Sequence, residues 1–163
     1  MALVYESLNF DVKSAEAPHV YVDRLDGGHV QIFPKLPVRD RTQLTPELAI
    51  EYMKLSMVVG EAMMTALSRR GIAIGLINYQ EMGNWMVFSD GGPTMHMQIF
   101  GRSRNAIVQK YGDAVHLPHI ETGFYDGFRA LDEGDVHELR LEIERLIETK
   151  KYRDFYGQTH AAS

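Results

Sequence analysis

A chain of 163 residues is long enough to bury a hydrophobic core, and 45% hydrophobic with 24% charged residues is the composition of a globular rather than a disordered protein. The absence of cysteine excludes disulfides, thiolate metal sites and a thiol nucleophile. The net charge of −5 does not favour nucleic-acid binding, which needs a basic footprint, and no stretch approaches the roughly 20 apolar residues of a membrane span.

The first third of the chain is predicted to form antiparallel strands joined by short turns. Alternating residues predict a short strand over residues 7–12 and a better one over 19–25, and Asp26-Gly27-Gly28 is a strong turn signal. A returning strand over 29–33 then places its odd-numbered residues, beginning with His29, on one face and its even-numbered residues on the other.

A long amphipathic helix is predicted next. Thr45 is a suitable N-cap, Pro46 suits the first helical position, and Gly71 supplies a left-handed C-cap. The apolar residues between these ends recur every three or four positions and define one buried face: Leu48, Tyr52, Leu55, Val59, Met63 and Ala66. The methionines at 53, 57, 63 and 64 are interpreted as core-filling residues; the alternative is a soft metal site or a pliable binding surface.

Two more strands complete the predicted sheet. The first covers residues 72–80 and is expected to be buried, and a loop over 81–92 follows it with the only tryptophan, Trp85. The second covers residues 94–102. Its methionines and isoleucine form a core face, and its other face sets the imidazole of His96 between a hydroxyl and an amide. A histidine so placed can attack a phosphorus centre while neighbouring donors hold the phosphate oxygens; the alternative is a histidine that only satisfies a half-buried sheet.

The rest of the chain is predicted to begin irregularly, with a stretch rich in Gly, Tyr and Phe over residues 122–128. A second helix, capped by Asp132, follows with its Glu and Arg residues on a solvated face and an apolar stripe of Val136, Leu139, Ile143 and Leu146. Residues 158–163 are expected to form a flexible tail. The predicted organisation is one α+β domain over residues 1–163, with a core at about 18–102 and a C-terminal extension at about 103–157.

Chemistry-bearing motifs are few. There is no Walker loop, paired zinc-ligand motif or nucleophile elbow. The segment His116-Leu117-Pro118-His119 has the spacing of some two-histidine ligand pairs, but its proline forbids a regular helix, so a loop with two ordinary histidines is favoured. No metal or cofactor is expected. The remaining polar residues lie in or just after three predicted strands, where a sheet can gather them: His29, Lys35, Asn78, Gln80, His96, Gln98 and Arg102.

The order of these residues resembles the histidine triad (HIT) superfamily. The resemblance rests on Gly28-His29-Val30-Gln31-Ile32-Phe33-Pro34-Lys35, on Pro37-Val38 and Leu44-Thr45-Pro46-Glu47-Leu48, on Ile77-Asn78, and on the His96 strand ending in arginine; it covers about residues 18–102. It implies a meander of about five antiparallel strands with a helix between, often dimerised into a ten-stranded sheet. It also implies that the middle histidine attacks the α-phosphate of a nucleotide, and that water or another acceptor resolves the nucleotidyl-imidazole.

Carried over by position, the nucleophile is His96, the upstream Gly-His histidine is His29, and the strand-end polar residue is Asn78. Thr94 and Gln98 stand where the family has its first and third triad histidines. A glutamine at the third position is similar to the transferase branch, which includes galactose-1-phosphate uridylyltransferase and dinucleoside-polyphosphate phosphorylases.

Two further positions depart from the family pattern. Ser89-Asp90 replaces the usual Gly-Gln pair before the nucleophile. Tyr21 stands where an acidic or amide residue normally holds the ribose, and Asp23 takes that role only if a shorter turn shifts the register.

The sequence therefore predicts a cytoplasmic nucleotide hydrolase or nucleotidyltransferase that acts at the α-phosphate of a nucleotide or dinucleoside polyphosphate through a covalent nucleotidyl-histidine. Its catalytic residues are His96, Gln98 and His29, and its substrate-binding residues are Asn78, Gln80, Thr94, Lys35 and Arg102. The alternatives are a weak or inactive nucleotide-binding, regulatory dimer and a purely structural or dimerisation domain.

A homodimer is predicted because a small open sheet leaves an edge that must be covered or paired. A basic cluster is predicted to attract the anionic substrate despite the acidic net charge, since charged ligands respond to local fields. Its members are Lys35, Arg39, Arg41 and Arg102. No membrane or nucleic-acid partner is expected.

Overall fold

The computed structural model describes residues 1–154. Five strands form one sheet: β1 (Ala2–Glu6), β2 (Phe10–Ser14), β3 (His29–Pro34), β4 (Ile74–Glu81) and β5 (Met97–Ser103). The helices are α1 (Pro46–Ala62), which continues as a π-helical turn over Met63–Leu67, α2 (Glu133–Ile147) and α3 (Lys150–Arg153). Neighbouring strands are antiparallel in the order β1-β2-β3-β5-β4. The predicted α+β fold with a five-stranded antiparallel sheet is confirmed.

The strands that carry the predicted site form where the alternation predicts them, with shifted ends. β3 begins at His29 as predicted, whereas β2 and β5 begin at Phe10 and Met97 rather than at residues 7 and 94. β4 is a strand, but the expectation that it is buried is wrong. It lies at the edge of the sheet, and the side chains of Leu76 and Tyr79 are about half exposed.

The predicted strand over residues 19–25 is wrong. Asp23 instead caps a 3-10 turn, Arg24–Asp26, where its carboxylate accepts a hydrogen bond from the backbone N–H of Leu25 at 2.9 Å. The same carboxylate binds the guanidinium of Arg129 at 2.7 Å. Asp side chains bond to nearby backbone N–H groups and so compete with a sheet ladder, which explains the loop. The fifth strand is β1, which the sequence patterns do not predict.

Helix α1 packs on one face of the sheet through the predicted stripe. Thr45 caps the helix through its side-chain oxygen, and Tyr52, Leu55, Val59 and Met63 are buried in one cluster with the even-numbered residues of β3. Gly71 takes the expected positive φ of 84° after the helix. Within residues 1–154, no helix is long and apolar enough to cross a membrane.

Only one of the four helix methionines fills the core. Met63 is fully buried, but Met53, Met57 and Met64 are 49%, 37% and 44% exposed, so the interpretation of these three as core residues is wrong. The reason is helical geometry. Positions 53, 57 and 64 are spaced four and seven residues apart and share one face, which points away from the face that carries Met63.

The second helix joins the same core. Its predicted stripe of Val136, Leu139, Ile143 and Leu146 is buried against α1 and the sheet, and its capping box at Asp132 is present. The expectation that its Glu and Arg residues form a solvated face is wrong for Glu142, which is buried and pairs with Arg145 at 2.6 Å. Asp135 is buried as well, against Arg24 at 2.5 Å. The prediction of a single domain stays a prediction, and the predicted tail at 158–163 lies outside the described residues.

Two glycine backbones touch where the turn before β3 crosses β5. A Cβ atom added to Gly27 would lie 2.0 Å from the carbonyl oxygen of Gly101, and one added to Gly101 would lie 2.1 Å from the carbonyl oxygen of Gly27. Gly27 also has a φ of 139°, which side-chain-bearing residues rarely adopt. This contact holds the start of β3, and with it His29, directly against β5.

Candidate functional site

A cavity of about 420 Å³ opens on the face of the sheet opposite α1. Three parts of the chain build most of its wall: the loop before β3, the strands β3 and β5, and the loop after β4. The described residues that line it are Met1, His19, Tyr21, Gln31, Phe33, Met82, Gly83, Asn84, Trp85, Met86, His96, Gln98 and Leu117. A cleft of this size, mainly apolar with a few polar groups, is typical of small-molecule sites.

His96 lies in this cavity, immediately before β5. Its Nδ1 is 3.0 Å from the backbone carbonyl oxygen of Thr94. Because a carbonyl oxygen only accepts, Nδ1 carries the proton, and in the neutral ring the lone pair lies on Nε2. The ring also stacks on Phe33, with 5.2 Å between centroids and 11° between planes. The arrangement holds an imidazole in the tautomer and orientation that nucleophilic attack requires.

Gln98 follows on the same face and is tied to the neighbouring strand. Its Oε1 accepts hydrogen bonds from Nε2 of His29 at 2.5 Å and from Nε2 of Gln31 at 2.9 Å. These two donors fix the rotation of the amide. Within residues 1–154 its NH₂ group has no recorded partner, so it can donate into the cavity that Gln98 lines.

His29 lies beneath the cavity and is almost completely buried. The backbone N–H of Tyr21 donates to its Nδ1 at 3.3 Å, so the ring proton is on Nε2, which donates to Gln98. Burial lowers the pKa of His29 to about 3, against the weaker opposing effect of the hydrogen bond to Gln98. His29 is therefore uncharged at neutral pH. What it can do is orient Gln98.

An aromatic wall closes the cavity, and the sequence analysis did not assign these residues to a site. The ring of Tyr21 stacks on His29 with centroids 5.2 Å apart, and Trp85 meets Tyr21 edge-on at 5.6 Å. His19 contributes from the same loop, with Nδ1 3.3 Å from the hydroxyl of Tyr21. One sequence signal could have found His19 and Tyr21: the predicted strand over residues 19–25 would place both side chains on one face.

The cavity wall carries no Lys, Arg, Asp or Glu among its described residues. The predicted basic cluster is engaged elsewhere. Lys35 pairs with Glu6 at 2.5 Å, and Arg41 pairs with Glu81 at 2.9 Å. Arg39 is exposed, and it too is absent from the lining. A ligand phosphate in the cavity would meet hydrogen-bond donors and imidazoles rather than fixed cations.

Asn78 and Arg102 bind each other instead of the cavity. The guanidinium of Arg102 donates to Oδ1 of Asn78 at 2.8 Å and to the carbonyl oxygens of Lys110 at 2.8 Å and Asp113 at 2.9 Å. Arg102 is 2% exposed. These contacts fasten the segment after β5 to the sheet.

Gln80 and Thr94 lie near the site without lining the cavity. Gln80 is opposite Gln98 in the pairing of β4 with β5, and its Oε1 is buried without a partner in the described part of the chain. The side chain of Thr94 is exposed, and its backbone carbonyl rather than its hydroxyl contacts His96. Of the eight predicted site residues, the structure brings together His96, Gln98 and His29.

A metal cluster is not found among residues 1–154, where no three His, Asp or Glu side chains lie close enough to hold an ion. Of the two histidines proposed as an unfavoured ligand pair, His116 meets the ring of Phe124 at 5.0 Å and His119 meets that of Trp85 at 4.9 Å. His116 therefore packs against a ring of its own loop, and His119 packs against a ring of the loop after β4.

Comparison with known proteins relates this fold to the histidine triad proteins. No protein-family model and no curated protein sequence matches the chain. Among solved structures, a HIT-like protein involved in cell-cycle regulation from Bartonella henselae, with an unknown ligand, matches with a TM-score of 0.54 and 16% identity over 86% of this chain and 85% of its own.

Two other solved structures match equally well. A hypothetical histidine triad nucleotide-binding protein from Sulfolobus tokodaii has a TM-score of 0.55 and 18% identity, over 89% of this chain and 85% of its own. A zinc-bound histidine triad family protein from Mycobacterium smegmatis has a TM-score of 0.54 and 18% identity, over 88% and 84%. The chain has the histidine triad fold, as the sequence resemblance implies. At this sequence identity the match shows a shared fold and not a shared activity.

Proposed function

We propose that this protein is a nucleotide hydrolase or nucleotidyltransferase that acts at the α-phosphate through a covalent nucleotidyl-His96. The observation that carries the proposal is the hydrogen bond from Nδ1 of His96 to the carbonyl oxygen of Thr94, because it leaves Nε2 as a lone-pair nitrogen in the cavity. The nucleotide-binding description of the Sulfolobus protein with this fold supports the ligand class.

In the proposed reaction, Nε2 of His96 attacks phosphorus, the N–P bond forms, and the bond to the leaving group breaks. The NH₂ group of Gln98 donates to a phosphoryl oxygen and keeps this role at every pH, because an amide does not titrate in the physiological range. Water or another acceptor then attacks phosphorus and returns the electron pair to Nε2. His29 positions Gln98 from below.

The cavity wall supports a nucleoside as the bound group. Tyr21, Phe33 and Trp85 offer aromatic surfaces for a base, and the volume is within the range of nucleotide-sized ligands. The described wall carries no Lys or Arg, and the ammonium group of Met1 is paired with Glu16. A nucleotide with one phosphoryl group at His96 therefore fits better than a long dinucleoside polyphosphate. The proposal keeps the cytoplasmic setting predicted from the sequence.

A specific observation favours the alternative of a weak or inactive nucleotide-binding protein. Thr94 and Gln98 cannot carry protons as the family's first and third histidines do, and His29 stays uncharged near neutral pH. General acid–base catalysis typically contributes about 10²–10⁴-fold, so loss of the proton carriers would leave binding with little turnover.

Mass spectrometry of the intact protein separates these functions. After incubation with nucleoside phosphoramidates and dinucleoside polyphosphates, we expect a mass increase of one nucleotidyl group, mapped to His96 and absent in His96→Asn. His137→Asn is the matched control, because His137 is exposed on α2 outside the cavity. Binding without an adduct would support the alternative, and an adduct that persists in His96→Asn would contradict the proposed nucleophile.

We also propose a homodimer that pairs through α1 and the edge strand β4. Met53 and Met57 of α1 and Met64 of the π-helical turn that continues it are exposed, and helical spacing places the buried Gly60 on the same side. The hydroxyl of Tyr79 on β4 packs so closely on Gly60 that an added Cβ would lie 1.9 Å from it. The apolar helix face and the unpaired strand edge therefore form one continuous surface, which is typical of a dimer interface.

A further inference from the structure

The proposed reaction leaves one chemical requirement unmet. When the bond from phosphorus to an alkoxide or amine leaving group breaks, that group needs a proton. Gln98 has no proton to give, and His29 is buried and uncharged. The Nδ1 proton of His96 is held by the carbonyl oxygen of Thr94 on the ring that attacks. The donor must come from elsewhere in the cavity.

His19 is the remaining imidazole on the cavity wall. Besides His96, the titratable side chains among the described lining residues are His19 and Tyr21. Burial raises the pKa of Tyr21, so its hydroxyl keeps its proton near neutral pH. His19 is exposed as well as facing the cavity, so it can exchange protons with solvent between turnovers. Met1 also lines the cavity, but its ammonium group is paired with the carboxylate of Glu16.

The loop holds His19 in a defined orientation. Its Nδ1 is 3.3 Å from the hydroxyl of Tyr21, and the two rings meet edge-on at 6.4 Å. Tyr21 in turn is fixed by its stacking on His29 and by Tyr125, whose ring centroid is 5.0 Å away. With Nδ1 engaged by Tyr21, Nε2 of His19 is the nitrogen left to serve a ligand.

We propose that His19 protonates the leaving group of the phosphoryl transfer and that Tyr21 positions it, an inference that rests on the proposed function. In the first step, Nε2 of His96 bonds to phosphorus and the bond to the leaving group breaks. His19, protonated on both ring nitrogens, gives its Nε2 proton to the departing oxygen or nitrogen and becomes neutral. In the second step, water bonds to phosphorus, its proton moves to neutral His19, and the P–N bond breaks with the electron pair returning to His96. A histidine of the loop before β3 thus takes the role of the proton carriers that the family has at positions 94 and 98.

Two leaving groups on one nucleotide test this role. The probes are the 5′-(N-alkyl)phosphoramidates and the 5′-(4-nitrophenyl) phosphates of adenosine, guanosine, cytidine and uridine. The amine cannot leave without a proton, whereas 4-nitrophenolate can. Release of the leaving group in the first turnover and adduct formation are measured for the wild type, His19→Gln and Tyr21→Phe. His137→Gln is the control histidine outside the cavity, and the melting temperature of each variant is recorded.

We expect His19→Gln to slow release of the amine in the first turnover by about 10²–10⁴-fold, while 4-nitrophenolate is released in the first turnover within a few-fold of the wild-type rate. Hydrolysis of the nucleotidyl-His96, which is common to both substrates, should slow equally for both. Tyr21→Phe keeps the stacked ring and should shift the same ratio in the same direction by less. Equal losses of first-turnover release for both leaving groups, or no loss for the amine, would overturn the role of His19. If the wild type releases neither group and forms no adduct, the proposed function itself fails and this role falls with it. A nucleotidyl adduct formed from the nitrophenyl ester in the wild type, combined with an unchanged ratio of the two first-turnover release rates in His19→Gln, would overturn His19 alone.

Discussion

Nε2 of His29 donates to Oε1 of Gln98 over 2.5 Å, across the pairing of β3 with β5, and both side chains are at least 98% buried. This hydrogen bond links the site to the folded core, because it fixes the orientation of the Gln98 amide towards the cavity. Because His29 is buried here, its imidazole cannot become charged without loss of stability.

The first prediction concerns stability at acid pH. Burial lowers the pKa of His29 from 6.5 to about 3, so below pH 6.5 the unfolded chain binds a proton that the native chain does not. The free energy of unfolding should therefore fall by about 1.4 kcal/mol per pH unit from this group as the pH drops from 6.5 towards 3. Urea unfolding at pH 7 and pH 5 should show a loss of about 2 kcal/mol that His29→Gln lacks. Equal losses in both proteins would contradict the buried, uncharged histidine.

The second prediction separates stability from ligand binding at Arg102. Arg102→Met removes the donors to Asn78 and to two carbonyl oxygens of the segment after β5, so the free energy of unfolding should fall by roughly 2–4 kcal/mol. Adduct formation per folded molecule should stay unchanged, because Arg102 does not line the cavity. Arg39→Ala, at an exposed arginine, is the control and should change neither quantity. A loss of nucleotide binding without a loss of stability in Arg102→Met would contradict this prediction and show that Arg102 contributes to the binding site.

The third prediction uses the single tryptophan as a reporter. Trp85 lines the cavity and meets Tyr21 at 5.6 Å, so a bound base should change its fluorescence intensity or emission maximum. Titration with nucleoside monophosphates should give a saturable change that matches the affinity from calorimetry. Phe33→Ala, which removes the ring stacked on His96, should weaken that affinity by about tenfold, the loss expected for one aromatic contact. Calorimetric binding with an unchanged tryptophan signal would place the ligand outside this cavity.

The fourth prediction concerns assembly. Met57→Lys puts a charge in the middle of the apolar face of α1 and should convert a dimer into a monomer in sedimentation velocity at micromolar concentration. Leu141→Lys is the matched control, since Leu141 is similarly exposed but lies on α2. A wild-type monomer, or an unaffected dimer in Met57→Lys, would contradict pairing through α1 and β4.

The sequence patterns correctly predicted the elements whose formation depends on residues close together in the chain. The alternation in β3 and β5 and the capped stripe of α1 are sequence-local, and these elements form as expected. His96 and Gln98 lie in the cavity because alternation gives them a common face. The loop around Tyr21 could not be predicted, because a long-range partner, Arg129, binds the carboxylate of Asp23.

Adjacency in sequence misled the assignment of the basic residues. Lys35 follows the strand of His29, and Arg102 lies near the end of the strand that follows His96. In the structure neither lines the cavity: Lys35 pairs with Glu6, and Arg102 donates to the carbonyl oxygen of Lys110. Which of several acceptors a long cationic side chain reaches depends on segments distant in sequence, here Glu6 and the turn at 110–113. The periodicity of apolar and polar residues therefore does not predict the partner of a Lys or Arg side chain.

The contact between Gly27 and Gly101 has an evolutionary consequence. Because each glycine would clash with the backbone of the other if it gained a side chain, neither position can drift while the turn and β5 stay in register. Distant relatives of this chain that have replaced every side chain of the cavity should still keep glycine at both positions. A search profile that weights Gly27 and Gly101 together with His96 would therefore retrieve such relatives when the classical triad has been lost.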